Sequence, residues 1–451
     1  MAKAATAGPA GPAAGGMSRF VSDSIVTFML SVLNRLLGIG AGIILARYLG
    51  PVGKGYIAYA PIALGVFVTA MSGVAQAATY QYGRNKLPGG AVHRAMCAIT
   101  MAASIPCAIV VALIAWLVPS QQVLLATAVA LPFALYTTAV TGLLLGADRV
   151  SSTNIQGTIL STGFNALTVC LVVFAHADYR VVLAAWVLSY AASALYSYLA
   201  VKPFIRDDAP ATRAIVVEQA SFGATSGLAQ LAGYINMRVD VFIVSLVLGA
   251  RELGLYSLTV NLAELLWQVS GPLCMASFPR IGNADDRTSA AFTAKLIRHI
   301  FMIMIPAGIF CFFAGPPLLT LAYGAPFAGS GEALRWIIPG VVAYSVEVPL
   351  GYFLLIRLGR PWLIVIIQSA SVVICALLTL ATIHRYGING AAAATSITYV
   401  GVVAVKAAIF MRATGTPLSR LVVVRREDLT GLLRIARQIV ARVSRFIPAR
   451  A

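Results

Sequence analysis

Apolar runs dominate this chain, and they predict its elements before any single residue is weighed. Twelve segments of about 20 residues or more lie near 24–46, 56–80, 94–118, 122–145, 155–176, 181–203, 219–248, 254–278, 296–321, 334–356, 361–384 and 389–411. Each is long enough to cross ~30 Å of hydrocarbon. Lipid offers no partners to backbone N–H and C=O groups, so continuous apolar segments of this length are expected to be helices. Polar punctuation between the runs repeats. Leu49-Gly50-Pro51-Val52-Gly53-Lys54-Gly55-Tyr56 separates the first two, and Leu248-Gly249-Ala250-Arg251-Glu252-Leu253-Gly254-Leu255-Tyr256 separates the seventh and eighth, 199 residues later. Both keep Leu-Gly, four residues, then Gly. Ser72-Gly73 with Arg84-Asn85 is echoed by Ser270-Gly271 with Arg280 and Asn283. The pattern predicts an all-α polytopic membrane protein of about twelve transmembrane helices, in two six-helix lobes related by internal duplication around a central cavity. Parallel repeats of this kind are a transporter arrangement. The expected divisions are a disordered leader (1–18), a first lobe (19–203), a cytoplasmic connection (204–218), a second lobe (219–412) and a basic tail (413–451).

Composition agrees with the solvent those runs imply. Hydrophobic residues make up 59% of the chain and charged residues 11%, with mean hydropathy +0.87, against roughly 25% charge in a soluble domain. The formal net charge of +18 changes the picture only through its distribution. With the N-terminus in the cytoplasm, 24 Lys and Arg residues fall on the inner side and 6 on the outer, leaving Arg35, Arg238 and Lys406 within spans. The positive-inside rule then puts both termini in the cytoplasm, and the basic excess is a topology signal rather than a nucleic-acid footprint. Residues 1–18 carry no apolar core of signal-peptide length. The six cysteines form no Cys-x-x-Cys pair and the four histidines have no ligand spacing, so neither a metal site nor a cofactor is expected.

Polar side chains inside the spans are the candidate chemistry. Arg35 lies mid-span in the first helix and Arg238 in the seventh; the 199-residue offset maps Arg35 onto Tyr234, one turn before Arg238. A mid-span charge costs at least ~2.5–3.5 kcal/mol on the insertion scale, so such residues face a cavity or a partner. Guanidinium groups suit bidentate binding of phosphate oxygens, which makes the two arginines candidates for a pyrophosphate. The structural alternative holds Arg35 by Asn34 or a carboxylate and Arg238 by Asp240, although residues two apart on a helix point about 200° from each other. Asn154, Thr158, Ser161 and Asn165 recur on one face of the fifth span, and Asn261, Glu264 and Gln268 on one face of the eighth; Tyr344, Glu347 and Gly351 do so in the tenth. With Asn34, these stripes are candidates for a polar cavity wall, or else for hydrogen bonding between helices, worth about 0.6 kcal/mol each. Asp240, Glu264 and Glu347 are candidates for coupling to a proton or sodium ion, or for neutralising a cation. Pro61, Pro132, Pro272, Pro306, Pro339 and Pro349 mark places where helices can bend.

After the last span, Arg434, Arg437, Arg442 and Arg445 fall within one arc while Leu432, Leu433, Ala436, Ile439, Val440, Val443, Phe446 and Ile447 fill the opposite face. Such a basic amphipathic helix is expected in the cytoplasmic interface, against anionic lipid, with docking of a partner enzyme as the alternative.

The Asn34-Arg35-Leu36-Leu37 helix running into Leu45-Ala46-Arg47-Tyr48-Leu49-Gly50-Pro51 and Gly55-Tyr56, together with Tyr386-Gly387-Ile388-Asn389-Gly390 opening the final span, resembles the polysaccharide transporter family, the Wzx-type or O-antigen flippases of the multidrug/oligosaccharidyl-lipid/polysaccharide exporter superfamily. The resemblance covers roughly residues 20–412. It implies twelve helices in two lobes, a bacterial inner-membrane location, and translocation of an undecaprenyl-pyrophosphate-linked oligosaccharide from the cytoplasmic to the outer leaflet. Partners so implied are the lipid-linked oligosaccharide, membrane lipids, and a polysaccharide polymerase or glycosyltransferases. The motifs are glycines and loop residues and do not identify the sugar. A cation-coupled multidrug antiporter of the same superfamily is the alternative, kept open by the carboxylates of the second half. The longest outer connection, around 322–333, has one Glu and no His or Cys, which argues against an enzyme.

Overall fold

The structure is a computed structural model that describes residues 14–118, 121–207, 209–283, 285–423, 425 and 428. Among these, every regular element is helical: α1 (Ala14–Thr79), α2 (Gly89–Leu117), α3 (Leu124–Gly146), α4 (Val150–Ala175), α5 (Tyr179–Val201), α6 (Arg213–Val247), α7 (Ala250–Asn283), α8 (Asp286–Tyr323), α9 (Ala328–Tyr344), α10 (Glu347–Tyr352), α11 (Pro361–Thr414) and α12 (Leu418–Val422). Nine helical stretches among the described residues are long and apolar enough to cross a bilayer. Two of the longest change direction, α1 at Gly50 (φ 64°) and α11 at Gly387 (φ 55°), so each carries two of the twelve apolar segments. α1 starts at Ala14 and so includes residues 14–18 of the expected leader. The basic face at 434–445 lies outside the described residues.

The turns between helices repeat. Gly50 and Gly249 (φ 84°), 199 residues apart, both adopt the left-handed conformation, which a glycine enters without the Cβ penalty. Two more pairs recur at matching points in the helix order. Asp148 (φ 57°) and Gly359 (φ 58°) end the turns before the fifth and eleventh segments, and His176 (φ 49°) and Gly387 those before the sixth and twelfth; both pairs are 211 residues apart. Asp and His are among the side chains that tolerate this region.

Two compact units divide the chain, residues 1–231 and 232–451, with the boundary inside α6. Unit 1 is built around α3. Leu131, Leu135, Val140, Leu143 and Leu144 of that helix pack against Ala60, Leu64, Met71, Val74 and Ala78 of the second arm of α1 and against Val92, Met96 and Trp186. Small residues set the spacing: a Cβ on Gly142 would come within 1.9 Å of the Ala75 carbonyl oxygen, and the Thr79 hydroxyl donates to the Gly142 carbonyl at 2.8 Å. The start of α6 closes onto the same arm of α1. A Cβ on Gly73 would lie 2.1 Å from the Gly223 carbonyl oxygen. Gln81 donates to the Ile215 carbonyl at 3.3 Å and to Glu218 at 3.4 Å, and Ser226 donates to Gln76 at 2.5 Å.

Unit 2 places α9 between α8 and α11, with the Thr259 hydroxyl of α7 donating to the Ser330 carbonyl at 2.9 Å. The tenth apolar segment is interrupted at Ser345–Val346, between α9 and α10. After α11 the chain folds back on α8. Asp428 accepts two hydrogen bonds from the Arg298 guanidinium at 2.6 and 3.1 Å, and Arg298 also donates to the Arg420 carbonyl at 2.6 Å. Those Arg298 hydrogen bonds hold the Asp428 carboxyl below the usual aspartate range.

Candidate functional site

In unit 1 the polar side chains of α4 meet the first arm of α1. Asn154 donates to the Thr27 hydroxyl at 2.7 Å, and Asn34 donates to the Thr158 hydroxyl at 3.3 Å and accepts from Thr162. Ser161, expected on this face, donates instead to the Gly157 carbonyl at 2.8 Å. The reason is a π-helical turn at Ile159–Gly163, whose extra residue moves Thr162 into the place that straight α-helical counting gives Ser161. Asn165 stands where a Cβ on Gly38 would meet its amide nitrogen at 3.5 Å. Arg35 is exposed on this arm and makes no ion pair or side-chain hydrogen bond among the described residues. Asp23, twelve residues earlier on α1, has its side chain outside the described residues. Between residues 27 and 201 the only two carboxylates are Asp148 and Asp178, both at turns, and Asp178 caps α5 by accepting from the Arg180 and Val181 backbone N–H groups.

Unit 2 carries its charges in pairs. Arg238 grips Glu264 in bidentate fashion, at 2.6 and 3.2 Å, with the two side chains 18% and 25% exposed. Its carboxylate is therefore Glu264 across the helix pair, and Asp240 faces elsewhere. Asp240 is buried and accepts from the Tyr256 hydroxyl at 2.5 Å, the Thr395 hydroxyl at 2.6 Å and the Val241 backbone N–H at 2.8 Å. It has no ion-pair partner among the described residues. Glu347, at the start of α10, pairs with Lys406, whose side chain is 0% exposed, and accepts from Gln368 at 3.1 Å. Tyr344 accepts from Asn236 and Gln368, each at 3.3 Å, and stacks on Tyr399 with ring centroids 4.2 Å apart. Asn261 is exposed on α7, while the side chain of Gln268 lies outside the described residues.

A family described as "Polysaccharide biosynthesis protein" matches residues 20–285. The chain belongs to the polysaccharide biosynthesis protein family. Among solved structures, it is similar to the lipid II flippase MurJ in an inward closed conformation (TM-score 0.71, 15% identity, 88% of this chain and 89% of that one). It is also similar to an inward-facing multidrug resistance MATE family transporter of the MOP superfamily (TM-score 0.66, 15% identity, 85% of this chain and 94% of that one). At such identities the likeness is one of fold. No curated protein matches the sequence. The membership and the long apolar helices make this a multi-pass membrane protein of that family.

Several side chains of this family member escape sequence reasoning. Lys406 is visible as a charge within a span, but its partner Glu347 is 59 residues away. Tyr256 and Thr395 look like ordinary core positions until Asp240 lies between them. Lys54 counts with the first connection, yet α1 continues through it beyond the bend at Gly50.

Proposed function

We propose that this protein is a flippase that carries a polyprenyl-pyrophosphate-linked oligosaccharide from the cytoplasmic to the outer leaflet of the bacterial inner membrane, by alternating access, for surface polysaccharide synthesis. One observation carries the reading: Arg35, mid-span in unit 1, has neither a carboxylate nor any other side-chain partner among the described residues. An unpaired guanidinium within a membrane helix is costly, and the charge suits the doubly anionic pyrophosphate, which cannot cross hydrocarbon unaided. Asn34, Asn154 and Thr158 hold α1 and α4 together beneath it, and Asn165 adds an amide to the same unit. Arg238 contributes to substrate only if Glu264 releases it. Both termini lie in the cytoplasm in this reading, where the tail binds anionic lipid.

A cation-coupled multidrug antiporter is the second reading, favoured by Asp240. Glu264 and Glu347 are each committed to a basic side chain, so Asp240 is the carboxylate left for a proton or sodium ion. The same residue would serve a flippase as its coupling site. The deciding experiment reconstitutes the protein in vesicles and supplies either a fluorescent polyprenyl-pyrophosphate glycan or a lipophilic cation. Transfer of the glycan lipid, lost in Arg35→Ala, supports the flippase; expulsion of the cation, lost in Asp240→Asn, supports the antiporter.

A further inference from the structure

Lys54, like Arg35, is a basic side chain of α1 with no partner among the described residues, and its direction is unusual. Counted from the bend at Gly50, Lys54 is four residues along the second arm of α1, while Gly42 is eight residues back along the first. A lysine this close to a span end normally snorkels outward to the interface, and a helical Cβ here tilts toward the bend as well. The Lys54 ammonium instead lies 4.0 Å from where a Cβ on Gly42 would be, beside a residue four positions farther from the bend than Lys54 itself, about 6 Å of helix at 1.5 Å per residue. The side chain is half-buried and makes no hydrogen bond or ion pair among the described residues. Asp178, beside the Tyr179 ring that stacks on Tyr56 at 4.6 Å, is turned to the α5 backbone.

Arg35, Gly38 and Gly42 stand at 0, 3 and 7 along the first arm, one face of a helix. The two glycines leave that face bare. The Asn165 amide nitrogen covers the first, 3.5 Å from its would-be Cβ, and the Lys54 ammonium covers the second. The row is thus a guanidinium, an amide and an ammonium, none with a side-chain partner among the described residues, and no carboxylate interrupts it. N–H donors in series with two positive charges fit an anion with several oxygens. From Arg35 to Gly42 the helix rises about 10 Å, more than one pyrophosphate spans, so the two cations cannot hold the group at once.

We propose that Lys54 is a second anion station, which takes the substrate's pyrophosphate after Arg35 as it travels along the glycine face of α1 toward the Gly50 end. The proposal rests on the flippase reading above and adds to it a residue that acts in transfer rather than in first capture.

The test uses full-length protein in phosphatidylcholine vesicles, with polyprenyl pyrophosphate as the binding probe and its glycan derivative as the transport probe. Loss of one charge-assisted hydrogen bond predicts that Lys54→Met slows translocation about tenfold. Equilibrium binding should change by less than about twofold, because Arg35 makes the first contact. Lys54→Arg should keep most of the rate, and Arg35→Ala should lose binding and transport together. Normal translocation by Lys54→Met alongside an inactive Arg35→Ala overturns the Lys54 station and leaves the flippase reading standing. A wild-type protein that neither binds nor moves either probe takes both down. A Lys54→Met protein with a lowered melting temperature that Lys54→Arg does not restore shows a packing role and also overturns the station. Adding phosphatidylglycerol should change neither readout; if it abolishes the difference between wild type and Lys54→Met, the site takes a lipid phosphate instead and the proposal is wrong.

Discussion

In unit 2, Arg238 and Lys406 within the membrane helices each rest against a carboxylate, Glu264 and Glu347. In unit 1, Arg35 and Lys54 of α1 face no carboxylate among the described residues. A paired charge within a fold holds helices together and is expensive to split; an unpaired one adds cost without return unless something outside the protein completes it. The two units therefore share positive-φ turns, at Gly50 and Gly249 among others, but treat these positive charges in opposite ways. The pairs of unit 2 read as structure, and the open cations of unit 1 read as a place for an anion.

The sharpest way to break this contrast is to remove one cation from each unit and compare what fails. Arg35→Ala should leave melting temperature in detergent unchanged or raised while cutting glycan export about 100-fold, the loss of two charge-assisted hydrogen bonds; Arg35→Lys should keep part of it. Lys406→Met should do the reverse, lowering stability by about 3–5 kcal/mol by leaving Glu347 without its countercharge. The double variant Lys406→Met, Glu347→Gln should recover most of that loss, and a double variant as unstable as the single one would show that the pair is not the cause.

Much of this fold is legible in the chain, because hydrophobic length and the Leu-Gly turn are local signals. The apolar segments fall in helices, the tenth broken at Ser345–Val346, and Gly50 and Gly249 both take positive φ. Contacts between helices are not local. Arg238 has Asp240 two residues away, yet its carboxylate is Glu264 on the next helix, since side chains two apart diverge. Thr162 replaces Ser161 against Asn34 because one π turn shifts the count. The inward reach of Lys54 depends on the bend at Gly50, which no spacing rule converts into a side-chain direction.

Smaller effects sharpen the picture of each unit. Gly142→Ala forces a methyl group onto the Ala75 carbonyl and should destabilise unit 1 by about 1–3 kcal/mol, seen as a lower yield of folded protein. The smallest effect belongs to Asp428, outside the spans. Its carboxyl is held below the ordinary value by the Arg298 hydrogen bonds, so its contribution is complete above the unfolded aspartate range and is lost as pH falls through the lower folded value. The contact between α8 and the residues after α12 should accordingly persist at neutral pH and loosen only below about pH 4. Asp428→Asn should make the chain near Arg420 and Arg425 easier to cut with trypsin at neutral pH, with export nearly unchanged.

The most direct measurement is translocation in vesicles by wild type, Arg35→Ala and the Lys406→Met, Glu347→Gln double variant, using a polyprenyl-pyrophosphate glycan whose outer-leaflet fraction is read by an impermeant quencher. The account predicts that wild type moves the glycan lipid, that the double variant retains most of that rate, and that a fully folded Arg35→Ala moves almost none. Transport by Arg35→Ala at the wild-type rate would contradict it.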